Sequence, residues 1–125
     1  MKPSLLEPFL LIFKKRLPKR IKTAQYTRKW RSIQRLCARK DDWAHAIVHA
    51  DMLVDEVLRK RKIAGKTMGE RLVNAQAKLS ANEAIWDAHK FASTLRHEGA
   101  RVVKESEVKE ALVAFRQALR DLGAL

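Results

Sequence analysis

Cysteine is almost absent: Cys37 is the only one in 125 residues, so no disulfide can form within the chain. That suits a reducing compartment, and a cytoplasmic location is the expectation. Proline occurs only at Pro3, Pro8 and Pro18. Beyond Pro18 nothing forces the backbone out of a helix except four scattered glycines. No apolar run approaches the roughly 20 residues that a bilayer span requires. The stretch Phe9 to Phe13 is five residues long, is preceded by Glu7 and Pro8, and leads to no small-residue cleavage site. It is therefore not read as a secretion signal. Sustained two-residue alternation of β-branched side chains is also missing, which argues against a sheet. There is no internal repeat and no low-complexity segment.

What is abundant is positive charge, and it is unevenly placed. The chain holds 27 Lys+Arg against 14 Asp+Glu, for a net charge of +13. Residues 1–40 contain 13 basic side chains and a single acid, Glu7, whereas residues 41–125 contain 14 basic and 13 acidic ones. A uniformly cationic, histone-like chain is excluded. The pattern predicts a basic arm, residues 1–22, ahead of one helical module, residues 23–125, that is basic in its first helix and near-neutral from residue 41 on. A polyanion is the natural partner, either nucleic acid, with RNA favoured, or an anionic membrane surface. Phe9 to Phe13, followed by Lys14, Lys15 and Arg16, suits an interfacial anchor on an anionic leaflet. It equally suits docking onto the protein's own core or onto a partner subunit.

Helical periodicity accounts for the rest. Tyr26, Trp30, Ile33 and Cys37 line one face of a first helix over about Ala24 to Arg39, with Arg28, Lys29, Arg31 and Arg35 around the others. Trp43, Ile47, Ala50, Val54 and Val57 mark a second, starting near Asp41-Asp42 and stopped by Gly65. Thr67-Met68-Gly69-Glu70 matches a capping box and opens a third, with Met68, Leu72, Ala75 and Leu79 as its stripe. Ile85, Ala88, Ala92 and Leu95 place a fourth before Gly99. Val108, Leu112, Phe115, Leu119 and Leu122 place a fifth before Gly123. The expected fold is all-α: an antiparallel up-and-down bundle of about five helices.

Several groupings invite chemistry. Gly65-Lys66-Thr67 ends like a phosphate-binding loop, but the full pattern needs glycine where Lys60 stands, and no strand precedes it. His45 and His49 are four apart and could share a metal, yet Ala46 occupies the position where a zinc peptidase has glutamate. No metal and no cofactor are expected. Asp51 and Asp55 border the second stripe. Either they pair with Lys or Arg of the first or fourth helix, or one of them orients a histidine across the bundle. On the fourth helix Trp86, His89, Ser93 and Arg96 share a polar stripe, with His97 beside it. Imidazole plus guanidinium is the pair that metal-free RNA cleavage uses, the first to move a proton and the second to stabilise phosphorane-like charge. The same stripe also reads as an ordinary polar edge with a dipole-complementing end.

Four pieces of sequence, in order and at matching intervals, carry a resemblance. They are Ala46 to Asp55 (AIVHADMLVD), Gly65 to Leu72 (GKTMGERL), Ile85 to Lys90 (IWDAHK) and His97-Glu98. The span Trp43 to Leu122, about two-thirds of the chain, resembles bacterial HEPN-like domains, small helical bundles of the higher-eukaryote and prokaryote nucleotide-binding superfamily. The resemblance implies a helical bundle, frequently dimeric. In active members it implies a metal-independent ribonuclease built on an Arg-Asn-x-x-x-His motif. Its histidine maps to His97, but its arginine maps to Ala92 and its asparagine to Ser93. Asp51 maps near a supporting acid. The loss of the guanidinium implies a degenerate site.

The function expected is thus a non-catalytic, HEPN-like, homodimeric module binding a polyanion. Lys14, Lys15, Arg16, Lys19, Arg20, Lys22, Arg28, Lys29, Arg31 and Arg35 are the expected phosphate contacts, with Tyr26 and Trp30 in the core. The alternatives are a ribonuclease using His97, with Arg96, His89 and Asp51 as further candidates, and a membrane-peripheral or protein-interaction scaffold.

Overall fold

The computed structural model describes residues 21–99 and 102–125. The expectations for Phe9 to Phe13 and for Lys14, Lys15, Arg16, Lys19 and Arg20 lie outside the described residues. Five α-helices follow in order: α1 (Thr23–Leu36), α2 (Trp43–Lys60), α3 (Met68–Asn74), α4 (Asn82–Glu98) and α5 (Glu105–Asp121). Single 3-10 turns cover Lys40–Asp42 and Gln76–Lys78, and no strand occurs among the described residues. The all-α class is as the sequence predicts.

The boundaries differ in three places, each for a local reason. α1 stops at Leu36 rather than Arg39, because the Cys37 N–H turns back to the Gln34 carbonyl at 3.0 Å. The Cys37 carbonyl then accepts from Trp43 Nε1 at 2.9 Å, which staples the α1–α2 turn. Asp41 and Asp42 lie in the 3-10 turn before α2, and no side chain caps that helix. The third segment is shorter than its stripe: α3 ends at Asn74, and Leu79 reaches the core through the 3-10 turn.

α2 is the central helix and packs on the other four. Ala46, Ile47, Ala50, Val54, Val57 and Leu58 are all fully buried. Tyr26, Trp30 and Ile33 of α1, Ile85 and Leu95 of α4, and Phe115 and Leu119 of α5 complete the core. Alanines at 46, 50, 88, 92, 111, 114 and 118 let the helix axes approach closely. Cross-chain bonds fix the directions. Lys29 meets Glu56, so α1 runs antiparallel to α2. Asp51 meets both His89 and Arg96, while Ala44 and His45 share a cleft with Gly99, so α4 is antiparallel to α2 as well. Arg61 donates to the Leu122 carbonyl at 2.8 Å, which sets the end of α5 beside the end of α2. The four long helices therefore alternate in direction.

The capping box of α3 forms at Thr67, whose Oγ1 accepts the Glu70 N–H at 3.1 Å. The Glu70 carboxylate reaches back one residue further, to the Lys66 N–H at 2.8 Å. Gly69 sits in the first turn of this helix with room for a methyl group, since a Cβ there would touch the Trp86 ring at 3.4 Å, an ordinary contact. Gly69→Ala is expected to raise stability by about 0.5–1 kcal/mol through helix propensity, measurable as a higher urea midpoint at unchanged m-value.

Asp121 ties the start of α4 to the end of α5. Its Oδ2 accepts from the Ser80 N–H and hydroxyl, both at 2.8 Å, and its Oδ1 accepts from Gln117 Nε2 at 2.9 Å. Burial pushes this carboxyl up, but the Ser80 and Gln117 bonds and the nearby Arg120 charge outweigh it and hold it below its ordinary value. A depressed carboxyl stabilises the fold above its unfolded-state value, about 3.9, and that contribution vanishes as pH falls through the folded-state value. Asp121→Asn is expected to cost about 1 kcal/mol at neutral pH and to converge with the wild type below pH ~3 in urea melts.

Candidate functional site

α1 exposes a basic face because its apolar positions recur at helical spacing and turn inward. Tyr26 and Trp30 are buried, as the sequence predicts, so neither offers a surface for stacking bases. Lys22, Arg28, Lys29, Arg31 and Arg35 are exposed. They are not equivalent: Lys29 Nζ is held by both Glu56 oxygens at 2.7 and 3.0 Å, whereas none of the other four has an ion pair among the described residues.

Behind this face lies a second feature. Asp51 on α2 is fully buried, the one buried charged side chain among the described residues. Its Oδ1 accepts from His89 Nδ1 at 2.9 Å and its Oδ2 accepts from Arg96 Nη2 at 3.0 Å. His89 and Arg96 are seven residues apart on α4, two turns along one face, so a single carboxylate reaches both. An ionised carboxylate only accepts, which assigns the proton to Nδ1 of His89 and leaves Nε2 for the solvent side. Of the two roles open to Asp51 and Asp55, orienting a histidine falls to Asp51. Asp55 is instead clamped by Arg71, with Nε to Oδ1 at 2.7 Å and Nη2 to Oδ2 at 3.0 Å, and Arg59 adds a third contact at 3.5 Å. The Arg71 guanidinium also donates to the Gly65 carbonyl at 2.8 Å. The Asp55 bond holds that guanidinium above its ordinary value, ahead of the opposing effect of burial.

His89 and Arg96 open onto a cleft of ≈ 830 Å³ between α1 and α4, roofless over the outer face of α2. His49 and Arg96 also line a neighbouring cleft of ≈ 740 Å³ toward Lys40, so these two side chains stand where the clefts adjoin. His49 stacks edge-on to His45, ring centres 6.3 Å apart. Among the described residues no group of three or more His, Cys, Asp or Glu side chains is placed to hold a metal.

The remaining sequence candidates separate from this cluster. His97 is exposed at the last turn of α4 and lines neither cleft. Position 92, where the resemblance seeks an arginine, carries a fully buried alanine within the core. At Gly65-Lys66-Thr67 the amide that a phosphate would want is bonded to Glu70. Cys37 is half-buried, and burial pushes its thiol up, which keeps it protonated and a poor nucleophile. Among the described residues no helix is long and apolar enough to cross a membrane. Sequence reasoning weighed His49 only as a metal-sharing partner of His45; its place in the cleft follows from its position one turn before Met52 on the exposed face of α2. Sequence reasoning missed the Arg71–Asp55 clamp, which no local pattern signals.

Compared with family models, curated proteins and solved structures, the chain matches none.

Proposed function

We propose that this chain is a helical module that binds a polyanion, RNA above all, without cutting it. The exposed basic face of α1 and the arm preceding it supply the phosphate contacts. The observation that carries this reading is that Lys22, Arg28, Arg31 and Arg35 have no ion pair among the described residues, on or just before a helix whose opposite face is anchored in the core. Cations held on a fixed scaffold and without carboxylate partners are available to neutralise phosphates and release counterions. The fully buried Ala92 supports the non-cutting half of the reading, since the HEPN-like arginine has no counterpart there. The test is fluorescence anisotropy with single-stranded RNA on the full chain and on a variant with Lys14, Lys15, Arg16, Lys19 and Arg20 changed to Gln. The variant should bind at least about tenfold more weakly in ~0.15 M salt. Equal binding would remove the arm from the account. Preference for phosphatidylserine vesicles over RNA would replace RNA with a membrane surface.

A second reading, a metal-independent ribonuclease, is favoured by one contact set: the carboxylate-oriented His89 beside Arg96. It requires RNA cleavage in chelator that is abolished by His89→Ala and survives His97→Ala.

A further inference from the structure

We propose that the cleft between α1 and α4 seats a single organic phosphate, a phosphate ester carried on an apolar body. The seat deepens the polyanion reading by giving one phosphate a defined place, apart from the outer face of α1.

The polar end of the cleft is built from the core outward. Asp51 is fully buried and fixes the two groups that a phosphate would meet. It takes one N–H of the Arg96 guanidinium and leaves the other donors of that fork unengaged, with the side chain 42% exposed. It holds Nδ1 of His89, whose side chain lines the cleft, so that Nε2 is the ring nitrogen not bonded to the carboxylate. His49 adds a second imidazole from α2. The Arg96 N–H groups from α4 and the His49 imidazole from α2 arrive from two helices, rather than in one plane, which suits a tetrahedral phosphate better than a flat carboxylate, and the unprotonated Nε2 of His89 can accept from the P–OH of a phosphate monoanion. A guanidinium held by a buried acceptor is already oriented, so less rotamer freedom is lost on binding.

The carboxylates in the cleft do not oppose this. Both Glu56 oxygens are taken by Lys29, and both Asp55 oxygens are taken by Arg71. With Arg96 set against Asp51, the Arg59 cation is left over before any imidazole is protonated. Apart from Ser32, the rest of the lining is apolar: Ile33, Leu36, Met52, Leu53 and Met68. Met52 is 53% exposed on the cleft floor, a large apolar side chain left open beside a cationic end. A mostly apolar cleft of several hundred Å³ with a few converging polar groups is the usual form of a small-ligand site.

The test uses isothermal titration calorimetry on the full chain with phenyl phosphate and with inorganic phosphate in the same salt. Phenyl phosphate should bind at least tenfold tighter. Arg96→Gln should weaken both probes at least tenfold. Met52→Glu, at an exposed position where folding is not at stake, should abolish the advantage of phenyl phosphate over inorganic phosphate. Equal affinities for the two probes, or a phenyl preference that survives Met52→Glu, would overturn the seat. The variant Arg28→Glu/Arg31→Glu/Arg35→Glu separates the two proposals. It should lose RNA and keep phenyl phosphate. RNA binding by a chain indifferent to phenyl phosphate would sink the seat and leave the α1 interface standing.

Discussion

Replacing Asp51 with alanine is expected to destabilise the fold by about 2–3 kcal/mol, the largest effect of any polar substitution in the molecule. The carboxylate is fully buried and both its oxygens are used. Its removal leaves the His89 Nδ1–H and one Arg96 N–H without their acceptor and opens a small void beside α2. Cutting one partner from a wholly buried ion pair costs roughly 3–5 kcal/mol. The expected loss lies below that range because Arg96 is 42% exposed and recovers water, whereas His89, at 15%, recovers little. Asp51→Asn keeps the volume but turns a donor toward one of two donors, so a loss of about 1–2 kcal/mol follows. Urea melts at neutral pH measure both. A double-mutant cycle with Arg96→Ala should return a coupling of about 1 kcal/mol, whereas strict additivity would mean the pair contributes nothing.

The second large effect falls on binding and leaves the fold alone. Arg28→Glu, Arg31→Glu and Arg35→Glu together should weaken RNA binding by at least about 30-fold near 0.15 M salt. Each change removes a proposed phosphate contact and sets a like charge in its place. The slope of log affinity against log salt should become shallower by about 2, at roughly 0.7 per contact for a single strand. Stability should move by less than ~0.5 kcal/mol, since all three side chains are exposed and have no ion pair among the described residues. The comparison variant is Lys29→Gln. Its ammonium is already held by Glu56, so its loss should weaken binding less than the loss of any one of the three arginines.

Much of this architecture is legible in the sequence, because the forces that set it are local and periodic. The stripe Tyr26–Trp30–Ile33 places α1, and it fixes the basic side chains on the outside as a consequence of turning the apolar ones in. The Thr67–Glu70 pair marks the start of α3 because a capping box is a four-residue device. Helix ends are less legible. α1 stops early because the Cys37 N–H turns back to the Gln34 carbonyl and the Trp43 indole, six residues on, then staples the Cys37 carbonyl, and no propensity encodes that staple.

The candidate site is legible in part. His89 and Arg96 share a stripe by spacing alone, and Asp51 borders the apolar stripe of α2 together with Asp55. What spacing cannot supply is the rotation of α4 against α2 that brings the two together. Alanines at 50, 88 and 92 are buried in the core and are silent as motifs. The prominence of His97 in the resemblance shows the converse. A motif position can match while its side chain points to solvent, because the neighbour it requires, at 92, belongs to the core.

The central claim is that charge on the N-terminal third binds a polyanion. The most direct measurement is the affinity of the full chain for single-stranded RNA across a salt series from about 0.05 to 0.5 M. If half of the ten named cations meet phosphates, the log–log slope is steeper than about −3. An affinity that stays flat across the series would contradict the account.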